Sequence, residues 1–276
     1  MADNEASDAQ TPRPVALVTG AGGAIGGAIA VELAATGFDV CVLDLDRSTL
    51  APVQAAVEST GGHCQPYGCD VTNPDLVEAT VAEVLADVGR VDVLVNSAGI
   101  VHVDDLLDLT FETWRRVMSV NADGTFLMGQ ATARGMVKQS PSAVLGRRGM
   151  IVNISSAAAE VGRPTRAAYA ASKAVVKHLT MTQALALKDH AIAACAVYPG
   201  EVIEGMLRSI FTEIAEATGR SVEEVIDEAK RDQPTEQFQS AHQVGQRVAF
   251  LANSAGMRFT GTVLWCDSHF DPVPPS

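Results

Sequence analysis

The stretch VALVTGAGGAIG, residues 15–26, sets a five-residue apolar run directly against a glycine-rich turn and the first turn of a helical pattern. A run that short and that uniformly apolar reads as a strand buried on both faces rather than as an amphipathic helix. The turn that follows (Gly20, Gly22, Gly23, Ala24, Ile25, Gly26) leaves backbone N–H groups bare at a helix N-terminus. There the dipole is positive, and an absent Cβ lets an anion such as a pyrophosphate approach. A glycine-rich turn alone also suits a tight strand-to-helix joint, so its surroundings decide.

Working outward, the same alternation repeats. DVCVLD (39–44), VDVLVN (91–96), MIVNIS (150–155), IAACAVY (192–198) and TVLWC (262–266) read as strands. Helical patterns fall near Leu50 to Ser59, Pro74 to Val88, Phe111 to Lys138, Lys173 to Leu187 and Gln243 to Leu251. Strands separated by helices run parallel, and right-handed crossovers place helices on both faces. The expectation is an α/β fold: one domain over 15–276, a doubly wound parallel sheet of about seven strands. Residues 1–14 are polar and end in Pro12 and Pro14, which reads as a disordered arm. Glu201 to Gln239 is the long, weakly patterned piece, placed to act as a lid over the carboxyl edge of the sheet.

Composition narrows the partners. A formal charge of −13 over 276 residues repels phosphate backbones and anionic lipid, so neither nucleic acid nor membrane is expected. Five cysteines without a CxxC pair and six scattered histidines give no disulfide framework and no metal site. The N-terminus lacks a basic, then apolar, leader pattern, and the expected location is cytoplasmic.

The second strand ends at Asp44, whose carboxylate suits both ribose hydroxyls of an adenosine and repels a 2′-phosphate, so NAD is preferred over NADP. Arg47 reads as a solvated charge. Asp70-Val71 and Asn96-Ser97-Ala98-Gly99 follow later strands. Asp70 suits the cofactor or an N-cap, and the small residues of Asn96, Ala98 and Gly99 offer a flat floor for adenosine. At the fifth strand's end stand Ser155-Ser156. Tyr169 follows, with Lys173 one helical turn beyond it on the same face. A phenol titrates near pH 10, and a neighbouring ammonium plus a cationic nicotinamide would draw it towards neutrality, fitting it for acid/base work. Ser156 would hold the substrate oxygen, and Asn121 a water leading from Lys173 to solvent.

These pieces together resemble the short-chain dehydrogenase/reductase family from Val15 to about Asp267. TGAGGAIG, CDV (69–71), GRVDVLVNSAG (89–99), Asn121, NISS (153–156), YAASK (169–173) and Pro199-Gly200 carry the likeness. The resemblance implies a Rossmann-type domain and a catalytic tetrad of Asn121, Ser156, Tyr169 and Lys173. It also implies cofactor contacts that include Tyr169, Lys173, Pro199, Gly200 and Val202. A homotetramer through the long helices follows from it as well. The implied activity is interconversion of a secondary alcohol and a ketone, ranked as 3-oxoacyl reductase-like before sugar, polyol or steroid alcohol dehydrogenase. A non-catalytic dinucleotide-binding sensor or scaffold is the alternative. Three departures stand out. Ala24 replaces a glycine. Glu204 replaces a threonine and either accepts from the carboxamide, favouring the oxidised ring, or points outward in a rearranged loop. Asp267-Ser268-His269 replaces Asp-Gly-Gly. His102, Glu160 and Arg163 are placed to border the substrate pocket.

Overall fold

Val15–Thr19 (β1) is buried at every residue and alternates its side chains strictly between the two faces of the sheet. The computed structural model describes residues 13–231, 237–253 and 256–266. Around β1 lie Asp39–Asp44 (β2), Cys64–Gly68 (β3), Val93–Asn96 (β4), Gly149–Ile154 (β5), Ile192–Tyr198 (β6) and Val263–Trp265 (β7). All pairings are parallel, in the order β3-β2-β1-β4-β5-β6-β7, so the seven-stranded sheet has the expected architecture. The order reverses between β1 and β4, which opens a crevice at their carboxyl ends.

Ala24–Ala35 (α1), Ala51–Ser59 (α2) and the late helix cover one face; Pro74–Val88 (α3) and the long central helices cover the other. Burial on both faces explains why the strands carry unbroken apolar runs. α3 begins where the sequence pattern placed it, but its N-cap is Asn73, whose Oδ1 accepts from Asp75 N and Leu76 N. Asp70 is therefore not the cap; its Oδ1 takes the amide and hydroxyl of Thr72 at 2.9 and 2.7 Å.

The continuous helix expected over 111–138 is interrupted. Phe111–Met118 (α4) and Gly124–Lys138 (α5) flank a π-turn at Ser119–Asp123 that carries Asn121. Such a widened turn is a frequent mark of a functional position. Ala167–Leu187 (α6) packs beneath β5 and β6.

The weakly patterned segment is corrected by the structure. It holds two helices, Arg208–Thr218 (α7) and Val222–Arg231 (α8), gathered on Phe211, Ala215, Val225 and Ile226. Both are short, broken by Gly219-Arg220-Ser221 and heavily charged outside, so their apolar stripes are narrow. Ala241–Ala252 (α9) then packs on α1. The end of the expected arm is also docked: Arg13 pairs with Asp39 at 3.1 Å and donates to the carbonyls of Ala34 and Phe38. Residues 1–12 and Asp267-Ser268-His269 lie outside the described residues. Among those described, no helix is long and apolar enough to cross a membrane, and no group of three His, Cys, Asp or Glu could hold a metal.

Candidate active site

The glycine turn is fixed by close backbone packing. Gly20 has φ +66°, and a Cβ there would fall 2.7 Å from Ala98 Cα. A Cβ on Gly26 would stand 2.2 Å from the carbonyl oxygen of Gly20, a backbone atom that cannot swing aside. Gly26→Ala is accordingly expected to weaken cofactor affinity at least about tenfold and to cost about 1–3 kcal/mol by overpacking, read by cofactor titration and thermal melting. Gly23 caps α1 without any side-chain bond, which leaves the first helical N–H groups free for an anion. Ala24 is the first residue of α1 and does not take a positive φ, so its methyl fits where the family pattern has glycine. The turn therefore retains the geometry a dinucleotide needs.

Thr19, which the sequence pattern did not single out, stitches β1 to the next site segment: its Oγ1 accepts from Ser97 N and Ala98 N, both at 3.1 Å. Asp44 reaches across to the turn, where Oδ2 accepts from Gly22 N at 2.9 Å. Val71 packs on Gly124 at the start of α5. Asn96 turns its amide into the sheet's buried face instead, donating to Asn153 Oδ1 at 2.8 Å. Asn153 in turn donates to Thr180 and Gln183 of α6. Asn96 thus brings only backbone to the crevice.

At the reacting end four elements converge. Lys173 is buried, and its Nζ donates to the carbonyl of Ile154 at 2.8 Å, while Ser155 Oγ donates back to the Lys173 carbonyl at 2.8 Å. Asn121 is wholly buried; its Oδ1 accepts from Ile100 N, and its Nδ2 donates to Ile100 O and to Ser172 Oγ. Ser172 Oγ in turn donates to the Tyr169 carbonyl at 2.7 Å. A Cβ at Gly99 would lie 3.3 Å from Asn121 Oδ1 and 3.5 Å from Lys173 Nζ, so Gly99 marks where these two side chains meet. Ser156, just past β5, accepts at Oγ from Ala158 N at 3.1 Å, and its hydroxyl lies close enough to the Tyr169 phenol to oppose the upward push of burial there. Lys173 Nζ lies 5.7 Å from the centre of the Tyr169 ring. The structure thus gathers Asn121, Ser156, Tyr169 and Lys173.

Their electrostatics correct one expectation. Burial pushes the Tyr169 phenol up from its ordinary value, opposed by the Ser156 hydroxyl and by the charge of Arg166; Lys173 is not among the groups that lower it. Lys173 itself is pushed down to about 8 by burial. Burial costs each group hydration of its charged form, and Arg166 offsets only part of that cost for the phenol. Arg166 went unnoticed in the sequence because only the folded turn brings its charge to the phenol.

The remaining candidates are placed elsewhere. Glu160 is held by Lys177 and by the Tyr198 hydroxyl, and the Lys177 hydrogen bond keeps its carboxyl below the usual carboxylate range. Glu204 Oε2 accepts from Ala241 N at 3.1 Å, so this carboxylate caps α9 instead of facing a carboxamide. His102 lies 3.6 Å from Asp104, whose amide joins the turn before α6 through Thr165 O. Arg163 is exposed in that turn. Gly200 N donates to Gln239 Oε1 at 3.2 Å, and Val202 pairs with Gln239 as a single parallel bridge. Pro199 is buried just before them. A cavity of about 470 Å³ opens beside α8, between Ile203, Ile226, Lys230 and Phe238. None of the four gathered residues lines it.

Residues 14–215 match the family model described as short chain dehydrogenase. The chain is 33% identical over 253 residues to the 3-oxoacyl-[acyl-carrier-protein] reductase FabG of Thermotoga maritima, covering 92% of this chain and 96% of that protein. NAD⁺-bound xylitol dehydrogenase superposes with a TM-score of 0.83 at 31% identity, covering 93% of this chain and 98% of that one. Actinorhodin polyketide ketoreductase with NADPH gives 0.84 at 30% identity, with 92% and 95% covered. The chain belongs to the short-chain dehydrogenase/reductase family, oxidoreductases of hydroxyl and keto groups that bind nicotinamide dinucleotides. Within that family it is 3-oxoacyl-reductase-like.

Proposed function

We propose that the protein is an NAD-dependent oxidoreductase interconverting a secondary alcohol and a ketone. The observation that carries this reading is buried Lys173, its Nζ bonded to the Ile154 carbonyl and 5.7 Å from the centre of the Tyr169 ring, with Asn121 buried nearby. The dinucleotide, when bound, accepts a hydride from the carbinol carbon or returns one to the carbonyl. Gly20, Gly22, Gly23, Ala24, Ile25 and Gly26 hold its pyrophosphate, Asp44 its adenosine ribose, and the segments at Asp70-Val71, Asn96 to Gly99 and Pro199 to Val202 border the rest. Ser156 donates to the substrate oxygen and fixes the carbinol carbon. In the oxidative direction the Tyr169 phenolate takes the hydroxyl proton; in the reductive direction the phenol returns it to the alkoxide oxygen. Lys173, with its proton on, holds the nicotinamide ribose. Asn121 braces Ile100 and Ser172 behind the phenol and anchors the proton relay.

Substrates of the 3-oxoacyl and polyol kinds, which the similar proteins are named for, rank first. The quaternary expectation is a homotetramer through α4, α5 and α6, which expose Phe111, Phe126, Val175 and Leu185; the expected location remains cytoplasmic.

Asp44 supports NAD over NADP, because a 2′-phosphate would meet its charge. The wild type is expected to bind NAD at least about a hundredfold more tightly than NADP, since like charges set together cost several kcal/mol. Asp44→Asn keeps an acceptor for Gly22 N and should narrow that ratio. Calorimetric titration of both cofactors decides it, and equal affinities in the wild type would reject the assignment.

A further inference from the structure

Directly behind the reacting groups lies a second cluster that the reaction does not use. Tyr198, fully buried at the end of β6, donates from its hydroxyl to Glu160 Oε1 at 2.8 Å. Lys177, one turn beyond Lys173 on α6, contacts both oxygens of Glu160 at 2.6 and 2.7 Å. Ser155, next to Ser156, donates from its Oγ to the carbonyl of Lys173 and from its amide to Val197 O at 2.9 Å, the residue before Tyr198. Trp265 of β7 meets the Tyr198 ring edge-on, with centroids 4.7 Å apart. Glu160 ends the short turn Ala157–Ala159 that leaves Ser156, and Tyr198 immediately precedes Pro199-Gly200.

We infer that Glu160, Lys177 and Tyr198 form a positioning clasp that sets Ser156 against the helix of Tyr169 and Lys173, in register with the nicotinamide turn at Pro199-Gly200. The inference rests on the reading of those three as the reacting groups. Chemistry favours a clasp over a substrate contact for Glu160. Both of its oxygens are engaged, and a buried phenol demands an acceptor. The ion pair is partly exposed, so its value lies in geometry more than in stability. The three sit on different elements: the turn that leaves Ser156, the helix of Tyr169 and Lys173, and the strand that leads into Pro199-Gly200. Releasing any one frees the Ser156 turn to drift, and a displacement near 1 Å costs up to about a hundredfold in rate.

The test compares Lys177→Met, Lys177→Arg and Tyr198→Phe with the wild type, using xylitol and 3-hydroxybutyryl-CoA as alcohols. Lys177→Met and Tyr198→Phe are expected to lower kcat about tenfold or more, with NAD affinity and substrate KM within about twofold. Lys177→Arg, which keeps the ion pair, restores kcat. Hydrogen exchange supplies a readout independent of turnover: peptides covering 155–161 and 198–200 exchange faster in Lys177→Met and at the wild-type rate in Lys177→Arg. Unaltered exchange at those peptides in both Lys177→Met and Tyr198→Phe overturns the clasp, as does a kcat loss that Lys177→Arg shares. A wild type inert towards both alcohols with clasp-dependent exchange intact would instead reject the assigned reaction and leave the clasp standing. Lys177 is a third exposed, so its substitution does not threaten folding.

Discussion

Tyr169→Phe is expected to lower kcat by about 10²–10⁴-fold, the range a positioned acid/base supplies, while NAD affinity and the melting midpoint stay close to wild type. The substitution deletes one hydroxyl from a ring that remains packed in the site. A second measurement follows from the direction of the phenol's shift. Burial raises Tyr169 above its ordinary value when the protein stands alone, whereas a bound cationic nicotinamide favours the phenolate. Ultraviolet difference titration of wild type against Tyr169→Phe should show the phenol titrating late in free protein and earlier with NAD⁺. A phenol that ignores NAD⁺, or a Phe variant that turns over normally, would remove Tyr169 from the chemistry.

Lys173→Met should move activity and stability in opposite directions. Folding depresses this lysine from 10.5 to about 8, so the unfolded chain keeps its proton over a pH range where the folded chain has lost it. The lysine's contribution to stability therefore rises as pH climbs from about 8 to 10.5 and is at its worst below about 8. At pH 7 the buried charge costs about 3 kcal/mol at 1.36 kcal/mol per pH unit. Methionine escapes that cost but leaves the Ile154 carbonyl without its donor, about 1 kcal/mol in the other direction. A net gain of about 2 kcal/mol should raise the melting midpoint by on the order of 5 °C at pH 7 and turn into a loss of about 1 kcal/mol above pH 10.5, where only the missing donor counts. Turnover should fall about a hundredfold or more in the same protein. A midpoint that drops at pH 7 would refute the account of Lys173 as a charge buried at a cost.

The sheet was legible because strands covered on both sides need uniformly apolar runs, while the cap of the helix after β3 was not, since Asn73 and not Asp70 takes that place. Tyr169 and Lys173 were legible for a similar reason: a spacing of four fixes a shared face before any tertiary contact forms. The supports were not. Thr19, Ser155 and Ser172 work by hydrogen bonds to backbone atoms distant in sequence or hidden within a turn, and no periodicity announces such partners. The bond of Glu204 to the first amide of α9 could not be read from spacing, because that partner is 37 residues away. The opposed displacements of Tyr169 and Lys173 depend on how little water reaches them, a property of the packed molecule and not of spacing.

The bridge between Val202 and Gln239 brings the two ends of the intervening segment side by side, with Ile203 N and Gln239 N each bonded across it. A polypeptide excursion that leaves and returns at one point imposes no strain on the scaffold when its length or composition changes. The two helices in between can thus be exchanged as a cassette. Evolution or a protein engineer can change those helices while Asn121, Ser156, Tyr169 and Lys173, none of which lies within the excursion, stay as they are.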